Sequence, residues 1–140
     1  MRRSVPPWDS VPGSVLGPVL GVRARVFSAM LFDMRRFGAV IGLRPEHRET
    51  YLRLHREVWP AVEARLTASH FANYTIFHRD GLLFAYYEYT GDDFAADSAA
   101  VARDPVTQEW WTLTDPCQRR LAGTPEGEQW APMTEIWHLD

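Results

Sequence analysis

Residues 36–43 alternate between apolar and other positions. Phe37, Ala39, Ile41 and Leu43 fall on one side, the period of two that marks a half-buried strand. Pro45 follows at a first-turn position, where a helix has no use for its missing N–H. Tyr51, Leu54, His55, Val58, Val62 and Leu66 then recur at three- and four-residue spacing, one apolar stripe of a helix. Pro60 lies inside that stripe and predicts a kink or split near residues 56–59. Residues 71–78 and 82–89 are aromatic and β-branched runs joined across Asp80-Gly81, a strong hairpin signal. Asp93 and Asp104-Pro105 are cap positions for two helical segments, one over about 93–103 and one running through Trp110-Trp111. Asp115-Pro116 interrupts the second. Residues 124–132 read as loop, and 133–139 alternate again as a last strand.

The order strand, helix, hairpin, helices, strand predicts an α+β fold of the ferredoxin-like βαββαβ type. Its four-stranded antiparallel sheet would carry helices on one face. The other face, rich in aromatics, would be bare, which makes it an interface or a pocket, and pairing with a second copy would bury it.

Residues 1–33 break this regularity. They hold four of the ten prolines, and no period survives. The expectation is a disordered extension, or a start assigned too far upstream with translation beginning at Met34. A targeting peptide is the weaker alternative, because Pro12, Pro18 and three glycines interrupt the apolar run. The domain is then residues 34–140, and the expected location is the cytoplasm.

Composition narrows the chemistry. All 15 basic residues are arginine, so lysine Schiff bases and a P-loop lysine are excluded. A net charge of −3 gives no basic face for nucleic acid, and no 18-residue apolar run spans a membrane. The single cysteine, Cys117, excludes an internal disulfide framework and a cysteine-based zinc site. The histidines lack metal-ligand spacing, and nucleophile-elbow and dinucleotide motifs are absent.

Four places remain as candidate chemistry. His55 lies one helical turn after Tyr51, so both project from one face, and an imidazole exchanges protons near pH 7. Trp110 and Trp111 point about 100° apart on a helix, so both cannot serve one core stripe. Tyr74, by alternation, shares a face with Ala72, Ile76 and His78, while Asn73 in a strand interior calls for a specific partner. Glu135 shares a face with Met133, Trp137 and Leu139, so it should be paired or have a raised pKa; it is a possible partner for His55 or a sugar hydroxyl.

Tyr51-x-x-x-His55-x-x-x-Trp59-Pro60, Asn73-Tyr74, Trp110-Trp111 and Glu135-Ile136-Trp137 occur in that order. Together they resemble the L-rhamnose mutarotase family, over about residues 34–139. The resemblance implies a homodimeric α/β barrel of ferredoxin-like subunits. It also implies interconversion of the α and β anomers of L-rhamnose, without metal or cofactor. It makes His55 the proton donor and Tyr51, Tyr74, Trp110 and Trp111 the sugar-binding residues. The base stays open among water, Tyr51 and Glu135. Two other readings suit the same residue types: a cofactor-independent monooxygenase-like barrel, and a non-catalytic deoxysugar-binding module.

Overall fold

The computed structural model describes residues 34–140, so the expectations for residues 1–33 lie outside it. Strand β1 (Arg35–Leu43) leads through a 3-10 turn at Pro45–His47 into helix α1 (Arg48–Arg56). Helix α2 (Pro60–Ala68) follows after a break at the position Pro60 predicts. The hairpin is β2 (Phe71–Arg79) and β3 (Leu82–Tyr89). Asp80 and Gly81 both have positive φ, 50° and 74°, the turn geometry that fits the right-handed twist of paired strands. Helices α3 (Phe94–Arg103) and α4 (Pro105–Thr114) start where their aspartates predict. Asp93 accepts from the Ala96 N–H and Asp104 from the Thr107 N–H.

The expected last strand is where the structure departs. Two short strands border β1: β4 (Gln118–Arg119) and β5 (Ala131–Met133). The sheet therefore has five strands in the order β2-β3-β1-β4, with β5 also on β1. Residues 134–140 form no regular element, and Ile136, Trp137 and Leu139 stand 95%, 75% and 72% exposed. Their alternation marks residues suited to a strand, but β5 stops pairing at Gly38↔Met133, and alternation alone supplies no partner edge.

Register assigns the two faces. Ile41↔Leu83, Ala39↔Ala85 and Phe37↔Tyr87 lie on the helix-covered side. Ile41, Leu43, Leu83, Tyr51 and Cys117 pack there as the core, with Ile76 and Trp130 against them. Val40↔Phe84, Phe77↔Phe84 and Gly38↔Met133 lie on the opposite face. That face stays open: Phe77 is 62% exposed.

Tyr89 anchors α3 to the sheet. Its hydroxyl donates to Asp97 Oδ2 at 2.5 Å and accepts from the Asp93 N–H at 3.0 Å. His70 Nδ1 lies 2.9 Å from the same carboxylate oxygen. Gly91 passes against this knot. A Cβ there would sit 2.6 Å from Tyr89 Cζ and 2.8 Å from Asp97 Oδ2. Tyr89 is only 1% exposed and has nowhere to retreat. Gly91→Ala should therefore destabilise the fold by about 1–3 kcal/mol. A thermal melt checks this, and an unchanged Tm would contradict it.

Candidate active site

Helix α1 supplies the centre. Tyr51 and His55 are one turn apart, and their rings stack with centroids 4.1 Å apart. Tyr51 is buried, and His55 is half-buried. His55 Nδ1 lies 2.9 Å from the Tyr51 carbonyl oxygen. Trp110 of α4 meets the His55 ring edge-on at 5.5 Å. Trp59, held extended just before α2, meets Trp110 at 5.3 Å. The helix split at Pro60 is what lets Trp59 turn toward α4.

The sheet supplies a second wall. Tyr74 stacks on Tyr87 at 5.0 Å, Tyr87 on Phe37 at 5.1 Å, and Phe37 on Phe94 of α3 at 4.8 Å. This ladder runs across three strands on the helix-covered side. Tyr74 reaches it through an irregularity in β2. The β2–β3 register shifts between Ala72 and Thr75, and Asn73 takes φ 49°. The shift corrects the expected alternation: Ala72 pairs with Glu88 on the open face, while Tyr74 joins Ile76 and His78 on the covered one. Asn73 does have a specific partner, donating from Nδ2 to Glu88 Oε2 at 2.6 Å.

Burial sets the proton affinities. It holds the Tyr51 hydroxyl up at about 12, with the polar Gln118 side chain nearby pulling the other way. Tyr74 is 46% exposed as a residue. Its hydroxyl is crowded by protein, and that desolvation raises its pKa, with Tyr87 and Tyr51 adding to the effect. His55 moves down because burial disfavours the imidazolium, partly offset by its bond to the Tyr51 carbonyl. The result is an imidazole kept neutral at neutral pH, stacked on the protonated Tyr51 phenol and meeting the Trp110 indole edge-on. Indole and phenol faces suit the C–H face of a sugar, and their polar tips can bond its hydroxyls.

The other candidates separate. Trp110 is 5% exposed and belongs to the His55 cluster, whereas Trp111 turns outward at 38%. Glu135 is not in the cluster. It is on the open face, where Arg36 Nε donates to its Oε2 at 2.9 Å and holds its pKa below the usual carboxylate value. Arg36 pairs across β1–β3 with Glu88, on the face opposite Phe37 and Ile41, so the sheet stands between Glu135 and His55. Cys117 is buried, with Sγ 3.5 Å from the Leu113 carbonyl oxygen, and makes no contact that would activate it.

Three further residues lie against the candidate site with little or no signal in the sequence. Trp59 stood in the motif without an assignment. Tyr87 was signalled only by strand alternation with Ala85 and Tyr89. Gln118, 7% exposed beside Tyr51, carried no local signal. Among the described residues, no three His, Cys, Asp or Glu side chains converge to hold a metal ion. A cavity of about 450 Å³ lies at the 120–129 loop rather than at His55. Arg120 pins that loop by donating to the carbonyls of Thr124, Pro125 and Glu128.

The family described as L-rhamnose mutarotase matches residues 36–139. An L-rhamnose mutarotase of Oceanobacillus iheyensis is 26% identical over 109 residues, 76% of this chain and 100% of the relative. One from Escherichia coli O1:K1 is 30% identical over 109 residues, 76% of this chain and 99% of the relative. The crystal structure of an L-rhamnose mutarotase from Formosa agariphila superposes with a TM-score of 0.58 at 18% identity, covering 76% and 99% of the two chains. Tetracenomycin F2 cyclase from Streptomyces glaucescens, a type-II polyketide cyclase, gives the same TM-score at 16% identity, covering 76% and 97%. At these identities the two structures establish a shared α+β architecture, and the sequence matches carry the family.

Proposed function

The chain belongs to the L-rhamnose mutarotase family, and on that premise we propose that it is an isomerase interconverting the α and β anomers of L-rhamnose. The observation that carries the reading is the grouping of Tyr51, His55 and Trp110, from two motifs far apart in the chain, at ring distances of 4.1 and 5.5 Å. Mutarotation moves one proton off the anomeric hydroxyl and one onto the ring oxygen. Two positioned acid–base groups of suitable protonation state are sufficient, each worth roughly 10²–10⁴-fold. His55 is the catalytic residue in this reading. Tyr51, Tyr74 and Trp110 contact the sugar, and Trp111 lies at the rim. The methyl group of a 6-deoxysugar suits the aromatic walls.

Saturation-transfer NMR of L-rhamnose tests the reaction at equilibrium. Exchange between the two anomeric protons should be faster with the protein than without it. An unchanged exchange rate, with rhamnose resonances broadened, would favour a binding module instead. Oxygen consumption with an aromatic substrate would favour the monooxygenase-like alternative.

Homodimerisation belongs to the same proposal, as ferredoxin-like subunits paired into an α/β barrel. Its support is the open sheet face, where Phe77 and Met133 stand 62% and 43% exposed. Patches of this kind mark association surfaces. Light scattering should give twice the chain mass, and Phe77→Glu should shift it toward one chain. A wild-type protein that runs as a monomer would refute the pairing. A cytoplasmic setting fits the lone buried cysteine, which calls for no oxidising compartment. Among the described residues, no helix is long and apolar enough to cross a membrane.

A further inference from the structure

We propose that Asn73 and Glu88 are positioning residues for the sugar site: their hydrogen bond, on the open face of the sheet, holds the bulge in β2 that presents Tyr74 on the other face. The role rests on the mutarotase reading of the site, in which Tyr74 contacts the sugar.

Register shows why β2 needs a bulge there. Phe71 pairs with Tyr89 on the helix-covered side, where it also meets Tyr87 and Phe94 at 5.7 and 6.0 Å. Tyr74, three positions further on, stacks on Tyr87 at 5.0 Å on that same side. In a regular strand, residues three apart fall on opposite faces. Both rings can lie under the helices only if the strand gains one residue between them. Pairing passes from Ala72↔Glu88 directly to Thr75↔Tyr86, so Asn73 and Tyr74 together stand opposite Tyr87.

The extra residue takes φ 49° at Asn73, the left-handed region that asparagine tolerates better than most residues. Glycine would accept the same angle without strain, but it has no side chain to bond. The Asn73 amide adds what glycine lacks: Nδ2 donates to Glu88 Oε2 at 2.6 Å. The other oxygen of that carboxylate, Oε1, accepts from the Tyr86 hydroxyl at 2.8 Å. Glu88 is thus fixed by its own strand and in turn fixes the bulge. The Thr75 hydroxyl donates to the Asn73 carbonyl at 3.1 Å and closes the bulge from its other end. The bonds from Asn73 and Tyr86 hold the Glu88 pKa below the usual carboxylate value, so the acceptor is charged at neutral pH, and bonds to a charged acceptor are the stronger kind.

Tyr74 depends on such a hold. Its side chain is exposed, and among the described aromatic rings it meets Tyr87 alone. The direction of its ring therefore follows from the backbone that carries it. Asn73 and Glu88 meet on the open face, across the sheet from the sugar, and act on it only through Tyr74.

NMR of the aromatic rings tests the clip without any turnover. Cross-peaks between the stacked Tyr74 and Tyr87 rings should be present in the unaltered protein. They should be lost in Glu88→Ala, which removes the acceptor, and in Asn73→Gly, which keeps the positive φ and removes the donor. Glu88→Gln offers an oxygen to Asn73 and an N–H to the Tyr86 oxygen, so it should restore them. Cross-peaks that persist in both Glu88→Ala and Asn73→Gly would overturn the proposal. In anomer exchange, Glu88→Ala should raise KM for L-rhamnose about 5–30-fold with kcat within about threefold, and Glu88→Gln should behave as wild type. A fall in kcat at unchanged KM would overturn the positioning role. In a Tyr74→Ala background, Glu88→Ala should raise KM no further; a second full rise would show that Glu88 acts without Tyr74. Absence of exchange with the unaltered protein defeats the mutarotase reading, while loss of the cross-peaks in the variants still establishes Asn73 and Glu88 as the hold on Tyr74.

Discussion

His55→Ala is expected to slow enzyme-catalysed rhamnose anomer exchange by about 10²–10⁴-fold, the usual contribution of one positioned acid–base group. The fold should survive. His55 is half-buried at the edge of the site, and the core of Ile41, Leu43, Leu83, Tyr51 and Cys117 does not contain it. What is lost locally is one ring stack, on Tyr51, and one edge contact, with Trp110. Saturation transfer on the variant, with circular dichroism confirming the fold, gives the answer directly. Exchange within a few-fold of wild type would remove His55 from the chemistry. The same residue sets a pH trend in stability. Its pKa is lowered in the folded state relative to the exposed ring. The neutral form is therefore favoured by folding, and its contribution is present above the unfolded pKa. That contribution declines as pH falls through about 6.5, because the unfolded chain then binds the proton more readily.

Trp110→Ala is expected to have the largest effect on stability, about 3–5 kcal/mol. Trp110 is 5% exposed and joins α4 to both His55 of α1 and Trp59 at the start of α2. Removing the indole leaves a void among rings that are fixed from three segments and cannot collapse together. The neighbouring Trp111 is a built-in control. It is 38% exposed, so Trp111→Ala should cost far less stability and act chiefly on KM if the indole touches sugar. Denaturant unfolding of the two variants checks the difference. Equal losses would mean that both indoles serve the core. A loss below about 1 kcal/mol at Trp110 would mean that the His55 wall rearranges freely.

Much of this architecture is written in short-range chemistry. Pro45, Pro60, Asp93 and Asp104-Pro105 mark where helices begin or break, because capping and the missing proline N–H act within a few residues. Asp80-Gly81 sets the hairpin because only certain residues accept positive φ cheaply. Helical spacing alone puts Tyr51 and His55 on one face, and their ring stack follows from it. The family motifs were legible for the same reason: their residues keep their order and spacing along the chain.

Tertiary structure decided which face each strand residue serves and what it meets there. One irregular residue pair in β2 carried Tyr74 onto the covered face and left Ala72 on the other, a change that alternation cannot register. Glu135 looked like a partner for His55 until pairing with β1 placed it across the sheet on Arg36. The final strand lies at Ala131–Met133 rather than over 133–139, with Gln118–Arg119 added beside β1, because a strand exists only where an edge remains to bond. Gln118 reached Tyr51 by the same pairing, 67 positions further along the chain. By itself the sequence determined the helices, the hairpin and the helix face that carries Tyr51 and His55, since these depend on neighbours in the chain. The closing of the site from sheet, α4 and loop depended on contacts between distant segments, which no local pattern encodes.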